Sequence, residues 1–416
     1  MMGFLKNLIL IYFKNICKLI LKIKKPLVIC ITGSAGKTTT KEIIWFVLSQ
    51  KFGKKNVFKN FESLNNEFGI PLTIFLAEFR PGNNIFLWLK VIFMSLVAFL
   101  RKYPKILVLE LGVEKPGDMQ FFMEFIKPYI GIITTIGEFP AHSQFFEKKE
   151  DVAKEKGFLI ENLPENGFAI LNSDDILISE NAKRTKAKII WFGKNKENDI
   201  TILGNGRFIF FGKEIEIKIE PYSSFGINFD LPLSCLLGVA RAFDLKIEDI
   251  EKVKEYSPLA GRMRILKKKF KKEVIIFDDT YNASPVSYFY LFEIAKNLKG
   301  RKIGIFADVL EADNFAKEIH EKLIEKINEI FDFVILIGPR FNTFSKNLKI
   351  DNLRFEFPKW EEISKIIPEK DFDFLFIKGA RAFHLEKILK IWNLEALECF
   401  CSYKKPTHEI SFRKTS

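Results

Sequence analysis

The sequence contains little cysteine and little histidine. Its 416 residues include five cysteines and four histidines. The cysteines are odd in number and scattered, which excludes a small secreted domain built on disulfides and is typical of a reducing, cytoplasmic compartment. Cys399 and Cys401 have no second pair of ligands nearby, so we expect no zinc site.

The sequence also lacks internal repeats, low-complexity linkers and any block of clustered Lys and Arg mixed with aromatic residues. Lys and Arg exceed Asp and Glu by 65 to 52, but they are spread along the whole chain. We therefore expect no nucleic-acid partner, whereas an anionic substrate such as a nucleotide is compatible with this charge. The 48% hydrophobic and 28% charged residues exclude a disordered chain or a rod, and the length predicts two or three domains.

Residues 1–25 form an apolar segment with interspersed lysines and no small-residue cleavage site. A lysine row argues against a spanning helix, and a signal peptide would carry its charges before the apolar run. The pattern predicts an amphipathic helix at a membrane surface, at the inner face of the cell membrane; the alternative is a helix docked on the next domain. At about 100° per residue, the polar residues fall on one arc: Asn7, Lys14, Asn15, Lys18, Lys22 and Lys25.

A second apolar stretch covers residues 84–100, an insertion interrupted only by Lys90 and Ser95. As a helix it would be about 25 Å long, which is short of the roughly 30 Å hydrocarbon core of a bilayer. Arg80 precedes it and Arg101-Lys102 follow it. A buried core helix and shallow insertion into a membrane are equally compatible with this pattern.

From residue 26 onward, short apolar runs alternate with amphipathic helical stretches, which predicts an α/β fold with a mostly parallel sheet. We expect a central domain at 26–258, a C-terminal Rossmann-like α/β domain at 259–392 and a polar tail at 393–416. The Gly-punctuated region 185–225 predicts β-hairpins. The candidate buried strands are 27–32, 105–111, 129–136, 274–279, 302–308, 332–338 and 373–379.

A glycine-rich loop, Gly33-Ser34-Ala35-Gly36-Lys37-Thr38-Thr39, directly follows the first predicted strand and precedes a helical stretch. Glycines let backbone amides turn toward phosphate oxygens, and the helix N-terminus favours an anion. Lys37 would reach the β- and γ-phosphates of ATP, and Thr38 would offer a hydroxyl to Mg²⁺. The loop is shorter than the general form, because Ile31 stands where the first glycine would fall.

This shortened loop resembles that of the Mur ligase family, ATP-dependent amide-forming enzymes of peptidoglycan precursor synthesis. The likeness extends over nearly all of residues 26–392, and it is strongest to the MurF-type ligases, which join D-alanyl-D-alanine to UDP-N-acetylmuramoyl-tripeptide. The segments that carry it are NFESLNNEFGIPLT at 60–73, ELG at 110–112, the His-then-Lys segment within 134–174, GR at 261–262, DDTYNASP at 278–285 and KGAR at 378–381.

The resemblance implies a set of site residues. Lys37, Lys156, His142 and Arg262 would be catalytic. Magnesium, with two ions expected, would be held by Thr38, Glu110, His142 and Lys156, the last of these carbamylated in the family. Substrate would be bound by Asn65, Asn66, Lys378 and Arg381, where Lys378 and Arg381 hold either the dipeptide carboxylate or the acyl phosphate. The nucleotide would be bound by Gly33, Ser34, Ala35, Gly36, Lys37, Thr38, Thr39, Asp278, Asn282 and Arg262.

Two lysines compete for the carbamylated position. Lys154 and Lys156 would point about 200° apart on a helix, so only one can face the site, and alignment on Gly157 and Leu163-Pro164 favours Lys156. His320 lies in a helix where MurF-type sequences also carry a histidine. His384 and His408 are interpreted as structural or surface residues.

The sequence identifies the acceptor substrate less closely than it identifies the ATP-dependent ligase reaction. MurF-type ligases begin with a separate domain that binds the UDP-sugar, and only the amphipathic segment precedes the loop here. The leading hypothesis is a monomeric MurF-like ligase that acts on two small molecules, a muramoyl-tripeptide and D-alanyl-D-alanine. The alternatives are a ligase acting on a lipid-linked muropeptide or another carboxylate, such as folylpolyglutamate, and a nucleotide-hydrolysing membrane switch.

Overall fold

The computed structural model describes residues 2–61, 64–82, 84–137 and 145–394. Within these ranges two sheets follow one another, with strands between residues 27 and 216 in the first and between 264 and 378 in the second. Both sheets are mostly parallel and are covered by helices. The predicted α/β class is confirmed.

The first sheet contains strands β1 (Leu27–Thr32), β2 (Val57–Lys59), β3 (Ile106–Glu110), β4 (Ile130–Ile133), β5 (Phe168–Asn172), β6 (Lys188–Gly193), β7 (Ile200–Gly204), β8 (Arg207–Phe210) and β9 (Lys213–Glu216). Their spatial order is β2-β3-β1-β4-β5-β6-β7-β8-β9. Pairing is parallel from β2 to β7 and antiparallel from β7 to β9. The predicted hairpins are therefore confirmed for β7 to β9, whereas β6 belongs to the parallel sheet.

Helices cover both faces of this sheet. They are α1 (Met2–Lys24), α2 (Lys37–Phe52), α3 (Gly69–Ile74), α4 (Ile85–Val97), α5 (Asp118–Met123), α6 (Lys149–Glu161), α7 (Ile176–Asn181), α8 (Asp230–Ala242) and α9 (Ile247–Glu251). Helices α2 and α8 pack on one face, and the apolar residues of α1 and α3 to α7 form a second core on the other. Because both faces are covered, β1 and β3 are continuous apolar runs rather than alternating ones.

The second sheet contains β10 (Arg264–Lys269), β11 (Glu273–Asp279), β12 (Lys302–Ala307), β13 (Phe333–Ile337), β14 (Asp351–Phe355) and β15 (Phe374–Lys378). Their order is β10-β11-β15-β12-β13-β14, with only β10 antiparallel to its neighbour among the described strands. The helices of this half are α10 (Pro285–Asn297), α11 (Ala316–Ile330), α12 (Pro339–Phe344), α13 (Trp360–Glu369) and α14 (Glu386–Ile391).

Helix α1 has one face packed on the protein, as the docking alternative predicted. Phe13, Cys17 and Ile20 are buried, and the ring of Phe13 packs edge-on against Phe75. The opposite face of α1 and one face of α4 are exposed. None of the helices in the described ranges combines the length and the hydropathy needed to cross a bilayer.

Candidate active site

The phosphate loop lies between the end of β1 and the start of α2. Gly33 and Gly36 have φ of 145° and 79°, a backbone region that L side chains rarely adopt. A Cβ on Gly33 would come within 2.0 Å of the hydroxyl oxygen of Thr134. That hydroxyl donates a hydrogen bond to the carbonyl of Ala35 (2.6 Å), so the close approach that requires glycine also holds the loop to the sheet.

Lys37 and Thr38 open α2 with their side chains turned toward the loop and the neighbouring strand. The Lys37 ammonium donates to the carbonyl of Gly33 (2.7 Å), and the Thr38 hydroxyl donates to Oε1 of Glu110 (3.2 Å). Glu110 ends β3, which pairs with β1 so that Glu110 lies opposite Ile31. The parallel pairing therefore brings the threonine and the glutamate together, as expected for strand ends at one edge of a sheet.

A buried lysine stands behind this glutamate. Lys41 is fully buried, and its Nζ lies 3.3 Å from Oε2 of Glu110 and 3.6 Å from Oε1 of Glu42. Glu42 in turn pairs with Lys59. Burial alone would raise the pKa of Glu110, but Lys41, Lys37 and Arg262 outweigh it and hold that pKa below its ordinary value. Glu110 is therefore an anion inside the protein.

Asparagines from the segment after β2 fix this glutamate in place. Asn60 is buried, accepts from the backbone N–H of Glu110 (2.9 Å) and donates to its carbonyl (3.0 Å). Asn65 donates to Oε1 of Glu110 (3.0 Å). Asn66 accepts from the backbone N–H of Gly69 (2.9 Å), at the start of α3. Asn65 and Asn66 both line the cleft described below.

The oxygen atoms gathered here fit a magnesium ion. Mg²⁺ prefers hard oxygen ligands and usually takes one or two carboxylates together with substrate phosphates. Within the described ranges, Oε2 of Glu110 is buried and receives no hydrogen bond, although Lys41 lies close to it. The same ranges contain no cluster of three His, Cys, Asp or Glu side chains, so waters and phosphate oxygens would complete the shell around Thr38 and Glu110.

Helix α6 supplies Lys156. Its side chain is buried and lines the cleft, whereas Lys154 is exposed, so Lys156, the lysine favoured by the alignment on Gly157, is the one that faces the cleft. His142, the other predicted ligand of a second magnesium, lies outside the described residues.

The opposite wall of the cleft comes from the second sheet. Gly261 has φ of 72°; its N–H donates to Oδ2 of Asp278 (2.9 Å), and its carbonyl accepts from the N–H of Tyr281 (3.0 Å). The following residue, Arg262, has its guanidinium 4.2 Å from the centre of the Tyr281 ring, a stacking contact that fixes its direction. The junction between the two sheets thus presents Arg262 to the cleft.

Lys378 is the second buried lysine of the cleft. It ends β15 opposite Asp279 of β11, its Nζ pairs with the carboxylate of Asp279, and it also donates to the carbonyl of Asn282 (3.2 Å). Burial lowers the pKa of Lys378, and Asp279 opposes that effect. Arg381 lies in the next turn, 3.5 Å from Oε1 of Glu386.

Asp278 differs from its prediction as a nucleotide-binding residue. Its side chain is fully buried, accepts from Gly261 and Thr280, and lies 3.7 Å from Arg264. Burial raises the pKa of Asp278. Successive residues of a strand point to opposite faces, so it is Asp279 that reaches the cleft wall. We interpret Asp278 as a residue that holds the junction.

One open cleft of about 400 Å³ lies between the two walls. Apart from Asp278 and His142, every predicted site residue lines it. Sequence analysis missed Lys41, Asp279 and Arg80. A signal existed for Lys41, because it follows Lys37 by one helical turn and so shares its face of α2. The predicted residues on the cleft wall are Gly33, Ser34, Ala35, Gly36, Lys37, Thr38, Thr39, Asn65, Asn66, Glu110, Lys156, Arg262, Asn282, Lys378 and Arg381.

His320 is buried behind the second wall. Its Nε2 accepts from the N–H of Val309 (3.3 Å), its Nδ1 lies 2.6 Å from the carbonyl of Ala316, and Asp308 is 3.7 Å away. Burial lowers the pKa of His320 to about 4 and raises that of Asp308 to about 6. Asp308 accepts from the backbone of Arg340 and Phe341 at the start of α12, so this pair supports the fold.

Comparison with known proteins agrees with this geometry. The UDP-N-acetylmuramoyl-tripeptide–D-alanyl-D-alanine ligase of Borreliella burgdorferi is 28% identical over 413 residues, covering 93% of this chain and 81% of that protein. The ligase of the same name from Bacillus subtilis is 25% identical, covering 87% and 75%. The crystal structure of MurF ligase from Thermotoga maritima in complex with ADP superposes with a TM-score of 0.74 at 25% identity, covering 93% and 84%.

Two family models match consecutive parts of the chain. The Mur ligase middle domain matches residues 31–233, which include the first sheet from the end of β1 onward, and the Mur ligase glutamate ligase domain matches residues 261–380, which include the second sheet. The chain belongs to the Mur ligase family, as its motifs predicted.

Proposed function

We propose that this chain is an ATP-dependent peptide ligase of peptidoglycan precursor synthesis that joins D-alanyl-D-alanine to UDP-N-acetylmuramoyl-tripeptide. The observation that carries this proposal is the cleft in which a phosphate loop, an anionic glutamate and basic side chains from both halves meet. The similar ligases of Borreliella burgdorferi and Bacillus subtilis carry the name of this reaction.

The reaction has two steps. A carboxylate oxygen of the acceptor attacks the γ-phosphorus of ATP, the bond to the β-phosphate oxygen breaks, and ADP and an acyl phosphate result. The amine of the dipeptide then attacks the carbonyl carbon, phosphate leaves, and the amine loses its proton as the amide forms. Anions must approach each other in the first step, so its barrier depends on fixed cations and donors around the phosphoryl group.

The first wall would bind the nucleotide. The loop amides and Lys37 would bind the phosphates, and Thr38 with Glu110 would hold Mg²⁺, which neutralises charge on the β- and γ-phosphates when bound. We assign His142 and Lys156 to a second magnesium. Carbamylation of Lys156 would convert its buried cation into an anionic ligand. A carbamate signal from ¹³C-labelled bicarbonate that is absent from Lys156→Ala would identify it, and its absence from the unmodified enzyme would remove this assignment.

The second wall would bind the anions that face the nucleotide. Arg262, held over Tyr281, would contact the phosphates, and Asn282 would contact the nucleotide. Lys378 and Arg381 would bind either the carboxylate of the incoming dipeptide or the acyl phosphate. Because Lys378 is buried beside Asp279, its position is fixed before substrate arrives, which lowers the cost of reorganisation during the reaction.

A lipid-linked muropeptide is a second candidate acceptor, favoured by one observation. The ring of Phe68, two residues from the cleft residue Asn66, packs edge-on against Trp88 of the apolar helix α4. Arg80, another cleft residue, lies five residues before α4. An acceptor carried by a lipid would therefore reach the cleft from this side.

We also propose that the enzyme works as a monomer in the cytoplasm, at the inner face of the cell membrane. The buried, unbridged Cys17, Cys30 and Cys235 are compatible with a reducing compartment. The exposed apolar faces of α1 and α4 support the membrane location.

Phosphate release from ATP tests this function. With UDP-muramoyl-tripeptide present, release should require D-alanyl-D-alanine, and Lys37→Ala should lower the rate by about a thousandfold because a charge at the transferring phosphoryl is lost. Lys54→Ala, which removes an exposed lysine, is the matched control. Release that is indifferent to the dipeptide would contradict the proposal. Release only with a lipid-linked tripeptide would select the second acceptor.

A further inference from the structure

Helix α4 exposes one nearly uninterrupted apolar face. Val91, Met94 and Ala98 are buried against the protein. On the outer face Phe86 is 77% exposed, Phe93 is 61% exposed, and Leu100, just after the helix, is 88% exposed. Apolar side chains scattered singly over a protein surface are ordinary, whereas a contiguous exposed apolar patch marks an interaction site. The outer face comprises Ile85, Phe86, Leu89, Ile92, Phe93, Leu96 and Leu100.

Helix α1 extends this face. The hydroxyls of Tyr12 in α1 and Ser95 in α4 lie 3.0 Å apart, and the ring of Phe13 stacks on Trp88. At 100° per residue, Tyr12 and Ser95 lie beside the exposed apolar arc of their own helix, so the two arcs adjoin. The residues that α1 contributes are Leu8, Ile11, Leu19 and Ile23.

The two segments that form this face carry positive charge only, although Lys14 of α1 pairs with Glu124 from outside them. Residues 1–25 and 84–102 together contain lysines and one arginine, and neither segment contains Asp or Glu. Lys18, Lys22, Lys25 and Lys102 are exposed. Lysines at the edge of an apolar surface can keep their ammonium groups among anionic headgroups while their stems cover apolar area.

We propose that the two-helix face docks on the surface of an anionic membrane, with the side chains of α4 inserted into the headgroup and upper acyl region. A membrane fits better than a second copy of the chain, because a symmetric interface would bring the same lysines of both copies together. It also fits better than a spanning segment, because α4 has 13 residues and would measure about 20 Å. This docking is independent of which acceptor the enzyme uses.

Docking by this face fixes where the cleft lies relative to the lipid. Trp88 donates to the carbonyl of Gly82 (2.9 Å), which ties Gly82 to the helix. Arg80 lines the cleft. Gly82, two residues after the cleft residue Arg80, is therefore bonded to the helix that bears the apolar face, and the enzyme would hold its cleft close to the headgroups.

Co-sedimentation of the full chain with vesicles tests the proposal. One set of vesicles contains one part phosphatidylglycerol to two parts phosphatidylcholine, and the other contains phosphatidylcholine alone. We expect binding to the anionic set, weakened by added salt, and at least tenfold weaker binding for Phe86→Ser/Phe93→Ser. Ile176→Ser/Phe357→Ser removes comparably exposed apolar side chains elsewhere and should bind like the unmodified chain.

A second variant pair guards against misfolding. Lys18→Gln/Lys22→Gln changes only exposed lysines and should weaken binding about fivefold for each lysine removed. Equal binding by the unmodified chain, Phe86→Ser/Phe93→Ser and Lys18→Gln/Lys22→Gln would overturn the proposal. So would a failure of the unmodified chain to bind anionic vesicles. A dimer in ultracentrifugation that Phe86→Ser/Phe93→Ser converts to a monomer would instead assign the face to a second copy.

Discussion

Each wall of the cleft contains a buried pair of a lysine and a carboxylate, but the two pairs are arranged differently. On the first wall Glu110 faces the cleft, and its partner Lys41 is buried behind it and does not line the cleft. On the second wall Lys378 and Asp279 both line the cleft, beside Arg262 and Arg381. The first wall therefore presents a carboxylate that can bind a cation, and the second presents cations that can bind phosphates and carboxylates.

A third buried pair, Asp308 and His320, lies away from the cleft and has a different charge state. The pKa of His320, lowered to about 4, keeps the histidine neutral near neutral pH, whereas the pKa of Asp308, raised to about 6, leaves the aspartate close to its titration point. The pairs Lys41–Glu110 and Lys378–Asp279 lie at the cleft, whereas the pair Asp308–His320 supports helix α12. Burial alone does not decide whether a carboxylate is ionised: at Glu110 the cations Lys41, Lys37 and Arg262 outweigh burial, whereas at Asp308 the cation of Arg340 does not.

Replacing Lys41 by Met removes the buried ion pair of the first wall. Glu110 would remain buried without its nearest cation, so we expect the free energy of unfolding to fall by about 3–5 kcal/mol. Urea denaturation measures this loss, and Mg²⁺ should restore part of it by replacing the missing cation. Lys54→Met, at an exposed lysine, should change the free energy by less than about 0.5 kcal/mol. A loss no larger than that in Lys41→Met would contradict the role of the pair.

Replacing Asp308 by Asn should remove the contribution of Asp308 to the pH dependence of stability and leave that of His320. The raised pKa of Asp308 contributes stability at low pH that is lost as the pH rises through about 6. The lowered pKa of His320 contributes stability above pH 6.5 that is lost as the pH falls toward 4. These trends oppose each other, so Asp308→Asn should lose about 2 kcal/mol relative to the unmodified chain between pH 6 and pH 4.

Urea denaturation at a series of pH values measures this difference. His320→Gln is the matched control, because it should change stability in the opposite direction over the same range. Parallel pH profiles for the unmodified chain and Asp308→Asn would show that the aspartate keeps its ordinary pKa.

Replacing Arg262 by Lys tests whether the second wall needs a cation of fixed direction. The charge remains, but an ammonium cannot stack on Tyr281 as the planar guanidinium does, so the cation loses its fixed direction. We expect kcat for phosphate release to fall about tenfold, with a smaller change in KM for ATP. Arg207→Lys, at an exposed arginine of β8, should leave both values unchanged. An unaltered kcat in Arg262→Lys would remove Arg262 from the proposed machinery.

Sequence reasoning worked where one element carries its own periodicity. Helical spacing showed that only one of Lys154 and Lys156 can face the site, although the alignment with the family made the choice, and buried strands such as β1 and β13 were visible as apolar runs. It failed where an edge strand is charged: β10, with the sequence RILKKK, and β14, with the sequence DNLRF, did not read as strands. Edge strands commonly carry such charges because they protect an open sheet edge.

Pairings between distant segments could not be predicted. Lys41 meets Glu110 only because β3 lies next to β1, and a single sequence does not state the strand order. The prediction of Asp278, where the structure places Asp279 at the cleft, failed for the same reason. Alternation along β11 says that the two side chains point to opposite faces, but only the neighbouring β15 decides which face meets the cleft.

The hydrogen bonds at Gly261 have a consequence for engineering. Both backbone groups of Gly261 are bonded to the second half of the molecule, to Asp278 and Tyr281, so Arg262 is anchored there and would travel with it in any opening motion. A chimaera that exchanges second halves between relatives should therefore be joined upstream of residue 261. A join one residue later would take Gly261 from one parent and its hydrogen-bond partners Asp278 and Tyr281 from the other.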